Sequence, residues 1–134
     1  MNKVLFFDSV MDLVNLIKPV YDKAPNGHED EHITSFISEL LRKKRSKFII
    51  VYCDDEYIEL TPDNFTKFIS DTLRSIAYDT EQEFYTTYNK AVKQFSSKSA
   101  KVRFIESQLN KLCKPVPRKI KHIIIKNVID SYTH

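Results

Sequence analysis

KFIIVYCDDEYIELTPDNF, Lys47 to Phe65, decides how the chain is read, because the spacing of its apolar residues changes twice within that stretch. KFIIVYC and EYIELT alternate with a period of two, which predicts two strands joined at Asp54-Asp55 as a β-hairpin. Asp-Asp is not the Asn-Gly or Asp-Gly pair that two-residue hairpin turns favour, so a looser loop stays open. At Thr61 the spacing returns to that of a helix. Thr61 supplies a capping hydroxyl, and Pro62 suits the first helical position. Phe65, Phe68, Ile69, Thr72, Leu73 and Ile76 then follow on one face.

The sequence before the hairpin reads as helices. NKVLFF at the start is a short strand or the lead-in to a helix. From Asp8 or Ser9, Val10, Leu13, Val14 and Ile17 fall on one helical face, and Pro19 is expected to end or kink that helix. DKAPNGHED is a loop, with Pro25 and Asn26-Gly27 as its turn residues. A second helix is expected from about Glu29 to Arg45, with Ile33, Phe36, Ile37, Leu40 and Leu41 inward. Its acids (Glu29, Asp30, Glu31) lie in the first turn and its bases (Arg42, Lys43, Lys44, Arg45) in the last, matching the helix dipole at both ends.

Beyond the hairpin, Thr80 and Glu83 fit a capping box that would start a further helix, with Phe84, Tyr88, Ala91, Val92 and Phe95 buried. Another helix is expected from near Ser99, with Val102, Ile105, Leu109 and Leu112 inward, broken by Lys114-Pro115-Val116-Pro117. The last segment mixes isoleucines with lysines. Pro117 and the length to Tyr132 favour a helix, although Ile123, Ile124 and Ile125 are β-branched. On a helical wheel, Ile120, Ile123, Ile124 and Val128 share one face. Arg118, His122 and Lys126 form a stripe opposite, with Ile125 and Ile129 among the bases. The segment is therefore either a terminal helix buried on two sides or an exposed basic and apolar face for a partner.

The expected fold is mainly α: a compact bundle of about six helices with one inserted β-hairpin, in a single domain over residues 1–134. A winged-helix-like α+β arrangement is the alternative. A single glycine, Gly27, disfavours hairpin-dense all-β folds. Cys53 and Cys113 have no metal or redox spacing and read as free structural thiols. No apolar run approaches the roughly 18 residues of a membrane span, and NKVLFF is too short for a signal peptide. The chain is thus expected in the cytoplasm, without a membrane partner; a nuclear site stays open.

Charge is uneven. Residues 1–67 carry a net −3 and residues 68–134 a net +6. Such asymmetry bears on partners rather than on fold. Lys98, Lys101, Lys111, Lys114, Arg118, Lys119 and Lys121 are the expected phosphate contacts. Ser96, Ser97 and Ser99 could add hydrogen bonds, and Tyr85, Tyr88 and Phe104 could stack on bases, with core packing as their alternative. Arg42–Lys47 is a second basic cluster, read also as a well-charged helix end. Ile125, Ile129 and Tyr132 are the candidate partner-binding residues.

His28, Glu29 and His32 match H-E-x-x-H, whose spacing would set both histidines on one helix face around Zn²⁺. Here the two middle positions are Asp30 and Glu31, at a helix entrance, and the alternative is an acidic first turn that complements the helix dipole. No metal and no cofactor are expected, and a zinc-dependent hydrolase is the remote alternative. Asp54-Asp55-Glu56 lacks the spaced ligands of a calcium loop and reads as a polar hairpin tip.

FIIVYCDDEYIELTPDNFTKFISDTLRSI resembles the hairpin-then-helix segment in the amino-terminal region of viral and phage primase-helicases. The features shared are Phe48, Tyr52, the Asp54-Asp55 turn, Tyr57 and Pro62-Asp63. The helical basic stretch to about Lys121 is similar in style, and the likeness covers about half the chain. It implies a replication-associated helical module that touches nucleic acid or a helicase. The resulting expectation is a small non-enzymatic, nucleic-acid-associated module of a replication or transcription assembly, of phage, viral or mobile-element type. The alternative is a protein-interaction module, such as a phage- or virus-encoded inhibitor or adaptor, with a homodimer included.

Overall fold

A computed structural model describes residues 3–111 and 116–132. They form β1 (Lys3–Phe7), α1 (Val10–Lys23), α2 (Glu29–Lys43), β2 (Ser46–Cys53), β3 (Glu56–Leu60), α3 (Pro62–Gln94), α4 (Lys98–Lys111) and α5 (Arg118–Tyr132). The chain divides into two compact units, 1–72 and 73–134, with α3 running through both.

The first unit is built on a three-stranded sheet in the order β1-β2-β3. β2 and β3 are the expected hairpin, with Ile49 opposite Leu60 and Tyr52 opposite Tyr57. Its turn is tight rather than loose. Asp54 and Asp55 both take positive φ, 49° and 66°, the backbone of the two-residue turn whose twist matches the flanking strands. Aspartate tolerates that conformation better than most residues, which is how Asp-Asp replaces Asn-Gly. The strand β1 pairs in parallel with β2, Phe6 opposite Ile50 and Phe7 opposite Val51, so the hairpin is part of a mixed sheet.

Ser9 caps α1, its Oγ accepting the Asp12 N–H at 3.2 Å. Pro19 does not end α1, which continues to Lys23. Leu13, Val14 and Ile17 of α1 and Ile33, Ile37 and Leu41 of α2 are buried with Ile49, Val51 and Leu60 of the sheet. Both helices pack on β2, so one sheet face is covered. Phe65 and Ile69 of α3 complete this core. Asp30 and Thr34 of α2 tie it to α3: Ser70 Oγ donates to Asp30 Oδ1 at 3.1 Å, and the Thr34 and Thr66 hydroxyls meet at 2.6 Å.

The second unit is helical. No break occurs at Thr80. The two helices expected on either side of it are one 33-residue helix, which leaves five helices among the described residues rather than six. Nothing between Ile76 and Phe84 is glycine or proline, so the backbone has no reason to stop. Thr80 is buried, and its hydroxyl has no hydrogen-bond partner among the described residues. Phe84, Val92, Ile105, Leu109, Ile120, Ile124, Val128 and Ile129 are buried. Tyr88 meets Phe84 and Phe104 edge to face, with centroids 5.2 and 5.5 Å apart.

Candidate nucleic-acid interface

The expected phosphate contacts that are described sit on α4 and α5, which pack against each other. Arg103, Ser107, Asn110 and Lys111 follow at i, i+4, i+7 and i+8 along α4, a spacing that keeps them on one exposed stripe. With Glu106 they line an open depression of about 460 Å³. Lys121 Nζ donates to Asn110 Oδ1 at 3.4 Å, which sets the first turn of α5 beside the last turn of α4. Lys111 and Arg118 are exposed at those two helix ends, and Lys119 and Lys121 are half-buried. Lys98 is exposed in the first turn of α4, and Lys101 is half-buried. Lys114 lies outside the described residues. Arg103, Ser107 and Asn110 were not singled out from the sequence as phosphate contacts; their helical spacing was the available signal.

The first turns of these helices are charged against the dipole. A helix N-terminus carries roughly half a positive charge and favours acids. Neither α4 nor α5 has an acid in its first turn, where Lys98, Lys101, Arg118, Lys119 and Lys121 cluster instead. Exposed N–H groups at such an end add to the positive potential. The Ser97 hydroxyl is committed there, accepting the Ala100 N–H at 3.1 Å as the cap of α4.

The rings expected to stack are used for packing. Tyr88 and Phe104 engage each other, and Phe104 also meets Phe95 at 5.3 Å. The Tyr85 hydroxyl donates to the Asn127 carbonyl at 3.3 Å and accepts from Ser131 Oγ at 3.1 Å.

The segment opened by Arg118 is a helix as far as Tyr132. Arg118, His122 and Lys126 are exposed as a stripe. Ile120, Ile124 and Val128 face inward, but Ile123 is 48% exposed while Ile129 is 1% exposed. The buried arc runs from Ile120 through Ile124 and Val128 to Ile129, so it is turned toward Ile125 and away from Ile123 relative to the expected face. Beside this helix, Lys98, Val102, Glu106, His122, Ile125, Lys126, Ile129 and Asp130 line a groove of about 380 Å³. Of the candidate partner residues, Ile125 is half-buried at this groove and Ile129 is almost wholly buried. Tyr132 is the last residue of α5, and its side chain lies outside the described residues.

Elsewhere the candidate chemistry is absorbed by local structure. His28 stands at the N-cap of α2, its Nδ1 3.3 Å from Glu31 Oε2, and Glu29 Oε2 accepts the Gly27 N–H at 2.9 Å. Among the described residues no group of three or more His, Cys, Asp or Glu is placed to hold a metal ion. Arg42 pairs with Glu39, and that hydrogen bond holds the Glu39 carboxyl below its usual range. The Cys53 thiol is pushed up, first by burial and then by Asp54 and Glu56. No helix of the described residues is long and apolar enough to cross a membrane.

No curated protein and no solved structure matches the chain. Residues 16–133, from α1 onward, match the family DUF3839, described as a protein of unknown function, and the chain belongs to that family.

Proposed function

We propose that this protein is a small non-enzymatic module that binds nucleic acid through the α4–α5 face, as part of a replication or transcription assembly. The observation that carries the reading is the run of bases at the N-terminal ends of α4 and α5. Bases there oppose the helix dipole, at a typical cost of about 0.3–1 kcal/mol each. A phosphate backbone is a partner that turns this cost into binding, since each phosphate neutralised releases counterions. Asn110 and Ser107, beside Arg103 and Lys111, supply uncharged groups for backbone contacts. The likeness to primase-helicase segments agrees with this reading.

Fluorescence anisotropy with labelled single- and double-stranded oligonucleotides tests it. Lys111→Glu combined with Arg118→Glu should weaken binding at least ~tenfold at low salt. Lys43→Glu combined with Lys44→Glu, in the first unit, should leave it nearly unchanged. Equal losses from both pairs would reduce the effect to net charge.

The groove beside Ile125 favours a second reading, a protein-interaction module. Its apolar floor carries both signs of charge, from Lys98 and Lys126 and from Glu106 and Asp130. In that case Ile125→Asp removes partner capture and leaves nucleic-acid affinity intact.

A further inference from the structure

We propose that α3 is a two-state helix: continuous through Thr80 in its main form, and broken there in a minor form in which Thr80 and Glu83 close the capping box that their spacing spells. Thr80 is the one buried polar side chain among the described residues, and its hydroxyl has no hydrogen-bond partner among them. Two other helical threonines return theirs to the preceding turn. Thr34 Oγ1 donates to the Asp30 carbonyl at 2.9 Å, and Thr86 Oγ1 to the Glu83 carbonyl at 3.0 Å. Thr80 instead shares a helix face with Leu73 and Phe84, at i−7 and i+4, both buried and apolar. A hydroxyl left unpaired in such surroundings destabilises the form that holds it. Buried polar groups are nearly always paired, and this orphan stands at the head of Thr80-Glu81-Gln82-Glu83, which offers it a specific partner.

As an N-cap, the Thr80 hydroxyl accepts the Glu83 N–H, and the Glu83 carboxylate accepts the Thr80 N–H. Glu83 is exposed, so its side chain makes that return bond without leaving a buried position. Glu81 and Glu83 then place two acids in the first turn of the new helix, where the dipole favours them. The rest of α3 is anchored on either side of this point. Thr66 and Ser70 are tied to α2 through Thr34 and Asp30. Glu81 and Tyr85 are tied to α5: Asn127 Nδ2 donates to Glu81 Oε1 at 2.9 Å, and the Tyr85 hydroxyl donates to the Asn127 carbonyl. Thr80 falls between the two anchored stretches, which gives the helix that runs through both units a joint. The continuous form prevails because a break gives up four backbone hydrogen bonds and the capping box returns only two.

Hydrogen exchange of the full chain, resolved at single amides, tests this. A break at Thr80 removes the helical partners of four N–H groups, those of Thr80, Glu81, Gln82 and Glu83, and the capping box satisfies the first and the last. Only Glu81 and Gln82 are left open. Their amides should be protected at least ~tenfold less than those of Ile76 and Phe84, which stay bonded in both forms. Thr80→Val keeps the shape of the side chain and removes the hydroxyl, so it should bring Glu81 and Gln82 to the protection of their neighbours. Glu83→Ala, at an exposed position, should slow exchange of the same two amides several-fold and leave α5 unchanged. Uniform protection from Ile76 to Phe84 in the natural chain overturns the proposal. So does a Thr80→Val variant that slows exchange evenly over the second unit, which would make the hydroxyl a packing defect with no second form. Faster exchange at Glu81 and Gln82 in Glu83→Ala overturns it as well.

Discussion

Helices α2 and α4 are of nearly equal length, 15 and 14 residues, yet they are charged in opposite ways. The first turn of α2 holds Glu29, Asp30 and Glu31, and its last turn holds Arg42 and Lys43. Each end complements the dipole, and Glu29 also receives the Gly27 N–H. The first turn of α4 holds no acid and begins with Lys98. The difference extends to the units: residues 1–72 hold nine Lys and Arg against thirteen Asp and Glu, and residues 73–134 hold twelve against five. Charge in the first unit serves its own helices. In the second, the first turns of α4 and α5 carry bases that oppose the dipole.

The largest effects test the packing on which this comparison rests. Ile124→Asp, at a side chain with no exposure, should cost at least ~4 kcal/mol and unfold the second unit. Ile123→Asp, one residue away on an exposed site, should change stability by less than ~0.5 kcal/mol. Chemical denaturation followed by circular dichroism reads both, and similar losses from the two would break the orientation of α5. Smaller effects address the comparison itself. Lys98→Glu should raise stability by about 0.5 kcal/mol while lowering nucleic-acid affinity several-fold. Glu31→Lys in α2 should lower stability by a similar amount and leave affinity alone. A loss of stability in Lys98→Glu would remove the argument from the dipole.

The smallest effect is local to the hairpin. A raised thiol pKa means less thiolate at a given pH, so Cys53 should react with iodoacetamide at pH 8 more slowly than a free cysteine. Asp54→Asn should speed the reaction, since Asp54 is one of the groups holding the proton on. Rates measured in a Cys113→Ser background isolate this thiol.

What could be read from the sequence was local. The change of period at Lys47 and the proline at Pro62 gave the hairpin and the start of α3, because both signals act within a few residues. The parallel pairing of β1 was not legible. Phe6 meets Ile50 across 44 positions of chain, and five residues of KVLFF carry too little periodicity to announce it. Thr80 and Glu83 had the letters of a capping box, but with no glycine or proline between Ile76 and Phe84 the helix runs on through them. At the candidate site the basic residues were visible as composition. That Arg103, Ser107, Asn110 and Lys111 form one stripe follows from their spacing, whereas its joining to α5 through Lys121 depends on helix packing that composition does not encode.

The most direct test of the central claim is the salt dependence of nucleic-acid binding by the full chain. If the α4–α5 face contacts phosphates, log affinity should fall linearly with log salt concentration, with a slope of several units. Lys98→Glu should reduce that slope by about one. A flat dependence, or no binding at low salt, would contradict the account and leave the basic face without its partner.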